Sequence, residues 1–584
     1  MGRAAEMNMR FRTLFAVFGV VLAIAVQAAD LPVKNMAFQE WNATQSLPAN
    51  WKSSSEPGTY SIAKDCDGGR EGRCVLRITR SNPEGFAHVG QTIPASAVGG
   101  HPVKLSGVIR TRDVTGFAAL WVRSDAGGST VFLDNMKERA PKGTTDWRRF
   151  EVMVPVPPNG SQVVFGLLLS GAGTAWFDDL AMDVDSGQKV AEYVPPPVKS
   201  EWRSDVASRE LSIKSLTSDD FADLQFLKPL LAGKRVVQLG ESSHGVAQFN
   251  QLKTRLVKFL HQEMGYDVIA FESSLSGCDA ADRRIGQAPP IDVMKDCIFP
   301  VWHSTETLQL FEYLDQARKA GKRLSLAGFD TQNSSRHGRE VVTARLLAMI
   351  DDEGLRARVS EAETFLAVGQ RRLTDAESTS AIAAYGELEK YFLANESALR
   401  AKTARPLDID FAIQEARSRV SFTRQQTGPQ QDAGFLVRDR GMADNLDFLL
   451  DKAYPQRKVI VWAHNFHIAK EQMEVAGPRA MGGWVAQRRG REVYTVGLFM
   501  GRGTAAENNR RPYEVTPASP EYLEAILAST GKVTSFVDFS KAERKQGAEW
   551  IFEPVFARGT GRLVPARTYD AVIYIDSVTP PTYL

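Results

Sequence analysis

The chain changes rhythm near residue 190, and that change limits the folds open to it. From about 31 to 185 the apolar residues come in short β-branched and aromatic runs: VKLSGVIRT, GFAALWVRS, STVFLDN, RRFEVMVPVP, QVVFGLLLS and TAWFDDLAMDV. Gly, Pro, Asn or Asp punctuates them, which predicts an all-β sandwich, jelly-roll-like in spacing. A stiff linker follows, 186–205, around Tyr193-Val-Pro-Pro-Pro-Val198. From 206 to 584 short apolar strands alternate with amphipathic helices, the pattern of an α/β domain with a mostly parallel sheet. The stretch 338–426 has only helical periodicity and reads as an insertion that caps the sheet.

The N-terminus reads as an address. Arg3, Arg10 and Arg12 precede the apolar run LFAVFGVVLAIAV, and Val26-Gln27-Ala28 offers small residues at the positions a signal peptidase reads. The run is shorter than the roughly 20 residues a bilayer span needs, so 1–28 is expected to be a cleavable signal peptide. An uncleaved anchor is the alternative. No later stretch is long and apolar enough to span a membrane. The protein is therefore expected in the periplasm or outside the cell, with no membrane attachment after cleavage. Lys plus Arg total 71 and Asp plus Glu 69, a balance that argues against nucleic-acid binding.

Export bears on the four cysteines. Cys66 lies near Cys74 and Cys278 near Cys297, and the pairs are far apart in sequence. In an oxidising compartment this predicts two local disulfides, with four buried thiols as the alternative. No C-x-x-C occurs, so a zinc knuckle is not expected.

The functional signal lies just past the end of each strand in the second region. After RVVQL (235–239) come Gly240-Glu241-Ser242-Ser243-His244-Gly245. After DVIAF (267–271) comes Glu272, and after RLSLAGF (323–329) comes Asp330. After KVIVWA (458–463) come His464-Asn465-Phe466-His467. Further strands are expected from 491 (REVYTVGLFM) and at 570–576 (DAVIYID). If the strands are parallel, these polar groups gather on the carboxyl edge, where open α/β sheets bind ligands. His244 is placed on the first turn of the next helix, with Glu241 sharing its face. Lys253 and Arg255 on that helix are candidate cations for an oxyanion. Arg438, Met442 and Asn445 share one face of a later helix, which adds Arg438 and Asn445 as polar candidates. His303 and His337 are weaker candidates. There is no G-x-S-x-G elbow, P-loop, G-x-G-x-x-G or H-E-x-x-H. A His and Glu constellation without a nucleophile points to general-base activation of water, with cations or imidazoles on the oxyanion.

At these residues the sequence resembles the erythromycin esterase family. The segments that carry the likeness are VVQLGESSHGVAQFNQLKTRLVKFL, MGYDVIAFES, FPVWHSTETLQLFEYL, LAGFDTQ, RDRGMADNLDFLL, VIVWAHNFHIAK, MGGWVAQRRG and YTVGLFMGRGT, over about 230–505. The resemblance implies an α/β domain with a helical lobe, and hydrolysis of a macrolide lactone ester by water, an antibiotic-resistance chemistry. It implies His244 as general base, Glu241 and Glu272 as carboxylates holding base and water, and His464 and His467 as partners opposite. It places Lys253 or Arg255 at the family's cation, and it does not favour a bound metal, although the paired His and Glu could hold one. The N-terminal region resembles a carbohydrate-module-like sandwich sometimes joined to such esterases. Trp121, Trp147 and Trp176 are its candidates for stacking on a glycan, with core packing as the alternative.

The leading expectation is an exported ester or lactone hydrolase acting on a small molecule. Two rivals remain: a periplasmic glycan-binding protein with an idle α/β domain, and a metal-dependent hydrolase at the same site.

Overall fold

The computed structural model describes residues 31–42, 47–53, 60–70, 72–83, 85–367, 372–427, 432–472 and 480–584. The predicted leader, 1–28, lies outside them. The chain divides into two compact units between Val194 and Pro195.

The first unit is the expected sandwich. One antiparallel sheet takes its strands in the order Tyr60–Arg70, Arg73–Arg80, Gly173–Val184, Val103–Val114, Gly143–Val154. The other has Phe86–Pro94, Gly160–Ser170, Phe117–Ala126, Ser129–Asp134. Alternate residues such as Leu105, Ile109, Leu120, Phe165 and Phe177 fill the space between the sheets. Cys66 and Cys74 are disulfide-bonded in the first hairpin. Of the three tryptophans, Trp176 is spent within the fold: it is 5% exposed, its indole N–H donates to Asp65 (2.8 Å), and Arg110 lies over its ring. Arg110 also stacks on half-buried Trp147, and Trp121 is half-buried. The linker is shorter than 186–205. Tyr193 is tied to Asn159 of the sandwich (2.9 Å). Ser200–Arg209 is a helix whose Asp205 accepts from Trp550 (3.2 Å), so 200–205 belongs to the second unit.

The second unit is built on six parallel strands: β1 Val236–Leu239, β2 Val268–Ser274, β3 Ser325–Asp330, β4 Val459–Trp462, β5 Val493–Ala506 and β6 Ala571–Val578. Their order is β3-β2-β4-β1-β5-β6, every neighbouring pair parallel. Thr534–Asp538 pairs antiparallel with β6 and extends that edge. The inner strands are buried on both faces, which is why VVQL and VIVW read as almost wholly apolar runs. The one polar member, Gln238, donates to Thr495 on β5 (2.9 Å).

β1 sits at a switch point. The chain runs from β1 past β4 to β2 and β3, then returns to β4 and crosses to β5 and β6 on the other side. Leu239 pairs with Trp462, and Phe271 pairs with both Trp462 and Gly328. The residues after these positions therefore leave the sheet side by side.

The insertion is helical as expected: α2 Arg336–Ala348, α3 Glu353–Ala367, α4 Asp375–Ala394, α5 Glu396–Lys402 and α6 Leu407–Thr427, preceded in the chain by α1 Ala247–Met264. It has its own core of Val342, Leu346, Val359, Leu388, Phe392 and Ile409. Buried Arg419 of α6 ties that core to the sheet, through Glu363 (2.9 Å) on one side and Asn333 (2.8 Å), just past β3, on the other. α7, Asp432–Phe448, returns to the sheet core through Met442 and Leu446. Cys278 and Cys297 form the second disulfide, joining the helix after β2 to the helix that leads toward Trp302.

Candidate active site

The loop after β1 delivers two of the site residues. Gly240 is there because the loop passes Asn465, whose Oδ1 a Cβ would strike. Asn465 then knits three strands: its backbone N–H donates to Glu241 O (2.8 Å) and its side chain bonds both ways with Leu498 of β5. His244 is not on the first turn of α1. Gly245 forms a β-bridge with Ala506, Val246 is extended, and α1 begins at Ala247. His244 therefore meets Glu241 across a loop rather than along a helix face.

The contact itself is short. Nδ1 of His244 lies 2.7 Å from Glu241 Oε1. That oxygen also accepts the indole N–H of Trp302 at 2.7 Å, and Oε2 accepts from Lys253 Nζ at 2.8 Å. Glu241 and Lys253 are fully buried, while 14% of the His244 side chain meets solvent. The His244 ring is flanked by Trp302 at 4.9 Å and His464 at 5.1 Å between centroids, both edge-on. Lys253 also lies 4.2 Å from the ring centre of Trp462.

A second cluster adjoins the first. Glu272 Oε2 accepts the backbone N–H of His464 (3.0 Å). Its Oε1 faces Arg438 Nη2 (2.8 Å) and His467 Nε2 (3.2 Å). Arg438 also binds Asp330, and His467 Nδ1 faces Asp439 (2.9 Å). His464 accepts the N–H of Phe466 at Nδ1 (3.1 Å), so the proton of its neutral ring sits on Nε2.

The electrostatics follow from burial set against pairing. Burial alone would push the Glu272 carboxyl up, but His467 and Arg438 hold it well below the ordinary value. Burial likewise opposes ionisation of Glu241, and Lys253 and His244 overcome it. Burial draws Lys253 down to about 8 despite Glu241. Burial with two histidines nearby drops His464 to about 3, leaving it neutral. His467 goes the other way: against burial, Asp439 and Glu272 push it up to about 10, so it is an imidazolium that donates from Nδ1 to Asp439 and turns Nε2 to Glu272.

The structure thus brings together His244, Glu241, Glu272, His464, His467, Lys253, Asp330 and Arg438. It does not bring Arg255, whose guanidinium is spent on Asp223 and the carbonyls of Ser215, Ser218 and Asp220. Two positions along a helix from Lys253, it points to another side. Asn445 is also elsewhere, bonded to Phe329 O, Ser418 and Gln414 inside the helix packing. His303 bonds Ile298 O, and His337 is exposed beside Asp296. Sequence reasoning missed Trp302, Asp439 and Asn465. Each stands next to a residue it did single out, and that adjacency was the only signal. Each oxygen of Glu241 and Glu272 already accepts an N–H. Among the described residues no group of three or more His, Cys, Asp or Glu is placed to hold a metal ion.

The family model described as erythromycin esterase matches residues 261–578, which include Glu272, Asp330, Arg438, His464 and His467. YbfO of Bacillus subtilis (strain 168) is 30% identical over 398 residues, covering 61% of this chain and 87% of that protein. Erythromycin esterase type II of Escherichia coli is 28% identical over 280 residues, 43% of this chain and 65% of that one. Two solved structures share the fold. A Bacillus cereus protein has TM-score 0.57 and 21% identity, covering 67% of this chain and all of its own. A mutant of the erythromycin esterase EreC in its open conformation has TM-score 0.50 and 17% identity, over 67% of this chain and 99% of its own. Matched by the family model over more than half its length and by YbfO over most of that protein, the chain belongs to the erythromycin esterase family.

Proposed function

We propose that the protein is an exported hydrolase that cleaves a carboxylic ester or lactone of a small molecule, with water as nucleophile and His244 as general base. One observation carries the reading: Glu241, buried and clamped, takes Nδ1 of His244 at 2.7 Å, and among the described residues none takes Nε2. The charge of the cluster supports it. Glu241, Glu272, Asp330 and Asp439 face Lys253, Arg438 and His467, so four carboxylates meet three cations. Protonation of His244 completes the balance, which is what a base that has just taken a proton requires.

In this scheme water bound at His244 Nε2 attacks the carbonyl carbon and gives its proton to the imidazole. The N–H of neutral His464 meets the developing oxyanion, a donor that needs no reorganisation. The tetrahedral intermediate then collapses, the C–O bond to the alkoxide breaks, and His244 returns the proton to the leaving oxygen. Glu272 fixes the backbone of His464, while Arg438, His467 and Asp439 fix Glu272. No metal takes part. The donor set supports this, because every oxygen of Glu241 and Glu272 already accepts an N–H and three positive charges stand among the carboxylates. An idle α/β unit would have no use for so complete a dyad.

Mass spectrometry of erythromycin and a panel of simple esters after incubation with the protein tests the reading, with His244→Ala in parallel. Gain of one water by a substrate with wild type alone supports it. Turnover by folded His244→Ala would overturn it, and loss of turnover with a chelator would favour a metal enzyme. Export rests on the leader and on the bonds Cys66–Cys74 and Cys278–Cys297, which persist in oxidising compartments. Among the described residues no helix is long and apolar enough to cross a membrane. N-terminal sequencing of the mature protein checks the cleavage after Ala28.

A further inference from the structure

We propose that Trp302 is a positioning residue for His244, acting through the shared oxygen of Glu241. The inference rests on the general-base reading above and adds a group outside the His and Glu set. Its indole N–H donates to Glu241 Oε1 at 2.7 Å, the same oxygen and the same distance as His244 Nδ1. Trp302 is 1% exposed. Glu241 is 0% exposed, so the bond lies away from bulk solvent.

The geometry explains why one donor on Glu241 is not enough. Lys253, on α1, holds Oε2. A carboxylate held at one oxygen still turns about that contact and carries the imidazole with it. Trp302 comes from a different segment, the turn Pro300–Trp302, and pins Oε1. With both oxygens held from separate elements, the plane of the carboxylate is set, and with it the direction of the His244 ring. Trp302 acts a second time through its ring, which stands edge-on to His244 at 4.9 Å, with His464 a second ring edge at 5.1 Å. The base is thus fixed in tilt by hydrogen bonds and in rotation by two ring edges. The turn itself is anchored. Trp302 N donates to Phe299 O (3.1 Å), and the segment leading into it carries Cys297, bonded to Cys278 beyond β2. A base aimed in this way saves orientational freedom in the transition state and leaves substrate affinity alone.

The variant that isolates the N–H is Trp302→Phe, which keeps a ring against His244. With p-nitrophenyl acetate as probe, kcat is expected to fall about tenfold while KM stays within about twofold, the signature of an interaction made for the transition state. Unchanged kcat in the folded variant overturns the proposal, as does a loss carried by KM. Should Trp302→Phe fail to fold, the wild-type protein supplies the second measurement. With indole-15N tryptophan, ten Nε1–H signals are expected, one per tryptophan. The Trp302 signal is expected downfield of the others, as for a donor to a carboxylate, and to move when Glu241→Gln removes the charge. A Trp302 signal indifferent to Glu241→Gln overturns the clamp. This readout needs no turnover. Wild type inactive on every ester, with the indole signal still coupled to Glu241, would sink the hydrolase reading and keep the clamp.

Discussion

Lys253 and Glu241 hold each other at 2.8 Å with no part of either side chain exposed. A buried ion pair contributes little net stability, yet breaking it is costly, because the remaining charge has no solvent to turn to. Lys253→Met should therefore destabilise the α/β unit by about 3–5 kcal/mol. Glu241→Gln with Lys253→Met removes both charges and should recover most of that loss while leaving turnover absent. Urea denaturation of the three proteins measures it. A Lys253→Met single variant as stable as wild type would contradict the burial of Glu241.

Lys253 and His467 predict opposite pH slopes. Lys253 titrates at about 8 in the fold, below its ordinary 10.5. Between those values the unfolded chain holds a proton the folded one has lost, so this group adds stability as pH rises above 8. His467 titrates at about 10, above its ordinary 6.5. The folded chain holds the extra proton, and its contribution is full below 6.5 and fades as pH rises through 10. Urea midpoints at pH 7 and 9.5 separate the two. Relative to wild type, His467→Gln should lose more stability at pH 7 than at 9.5. Equal losses at both pH values would mean His467 is not the imidazolium drawn between Asp439 and Glu272.

The sequence exposed the sheet and the site edge more readily than the connections between site residues. Parallel strands buried on both faces read as almost wholly apolar runs, so VVQL and VIVW marked themselves and the polar residues behind them. Strand order left no such mark, because a crossover of any length, short as 240–267 or long as 331–458, does not say which neighbour the next strand finds. Lys253 and Arg255 were inseparable for a related reason. α1 buries both, one toward Glu241 and the other toward the 215–223 loop, and both burials draw on charge. The helix start was misplaced by a tertiary contact: Ala506 pairs with Gly245 and holds the chain extended past His244. Trp302 reads as an ordinary core aromatic, since nothing local reveals that its N–H faces a carboxylate. The short linker was hidden by its prolines, which do not show where docking of Tyr193 or the helix at Ser200 takes over.

His464 should tolerate replacement by a neutral donor. At about 3 its titration lies below any pH at which the enzyme would work, so its service is an N–H and not a charge. His464→Gln keeps an amide donor on a side chain of similar reach, whereas His464→Ala removes it. The alanine variant should lose about 10²–10³ in kcat and the glutamine variant about tenfold, the range for loss or weakening of one oxyanion donor. Steady-state kinetics on p-nitrophenyl acetate makes the comparison. Equal losses in the two variants would remove His464 from the oxyanion.

The Cys278–Cys297 bond should matter to catalysis as well as to stability. It closes 19 positions of chain, and a loop of that size removes about 3 kcal/mol of unfolded-state entropy in the chain-entropy account. It also joins the helix behind Glu272 to the segment that ends in Trp302, so it braces both carboxylate clusters. Cys278→Ala with Cys297→Ala should lower the urea midpoint. Below the transition, where the protein is still folded, kcat should fall with KM nearly unchanged. The bond Cys66–Cys74 lies in the other unit, and its removal should leave kcat alone. A double variant of 278 and 297 that loses stability while keeping full kcat would show that the brace serves the fold only.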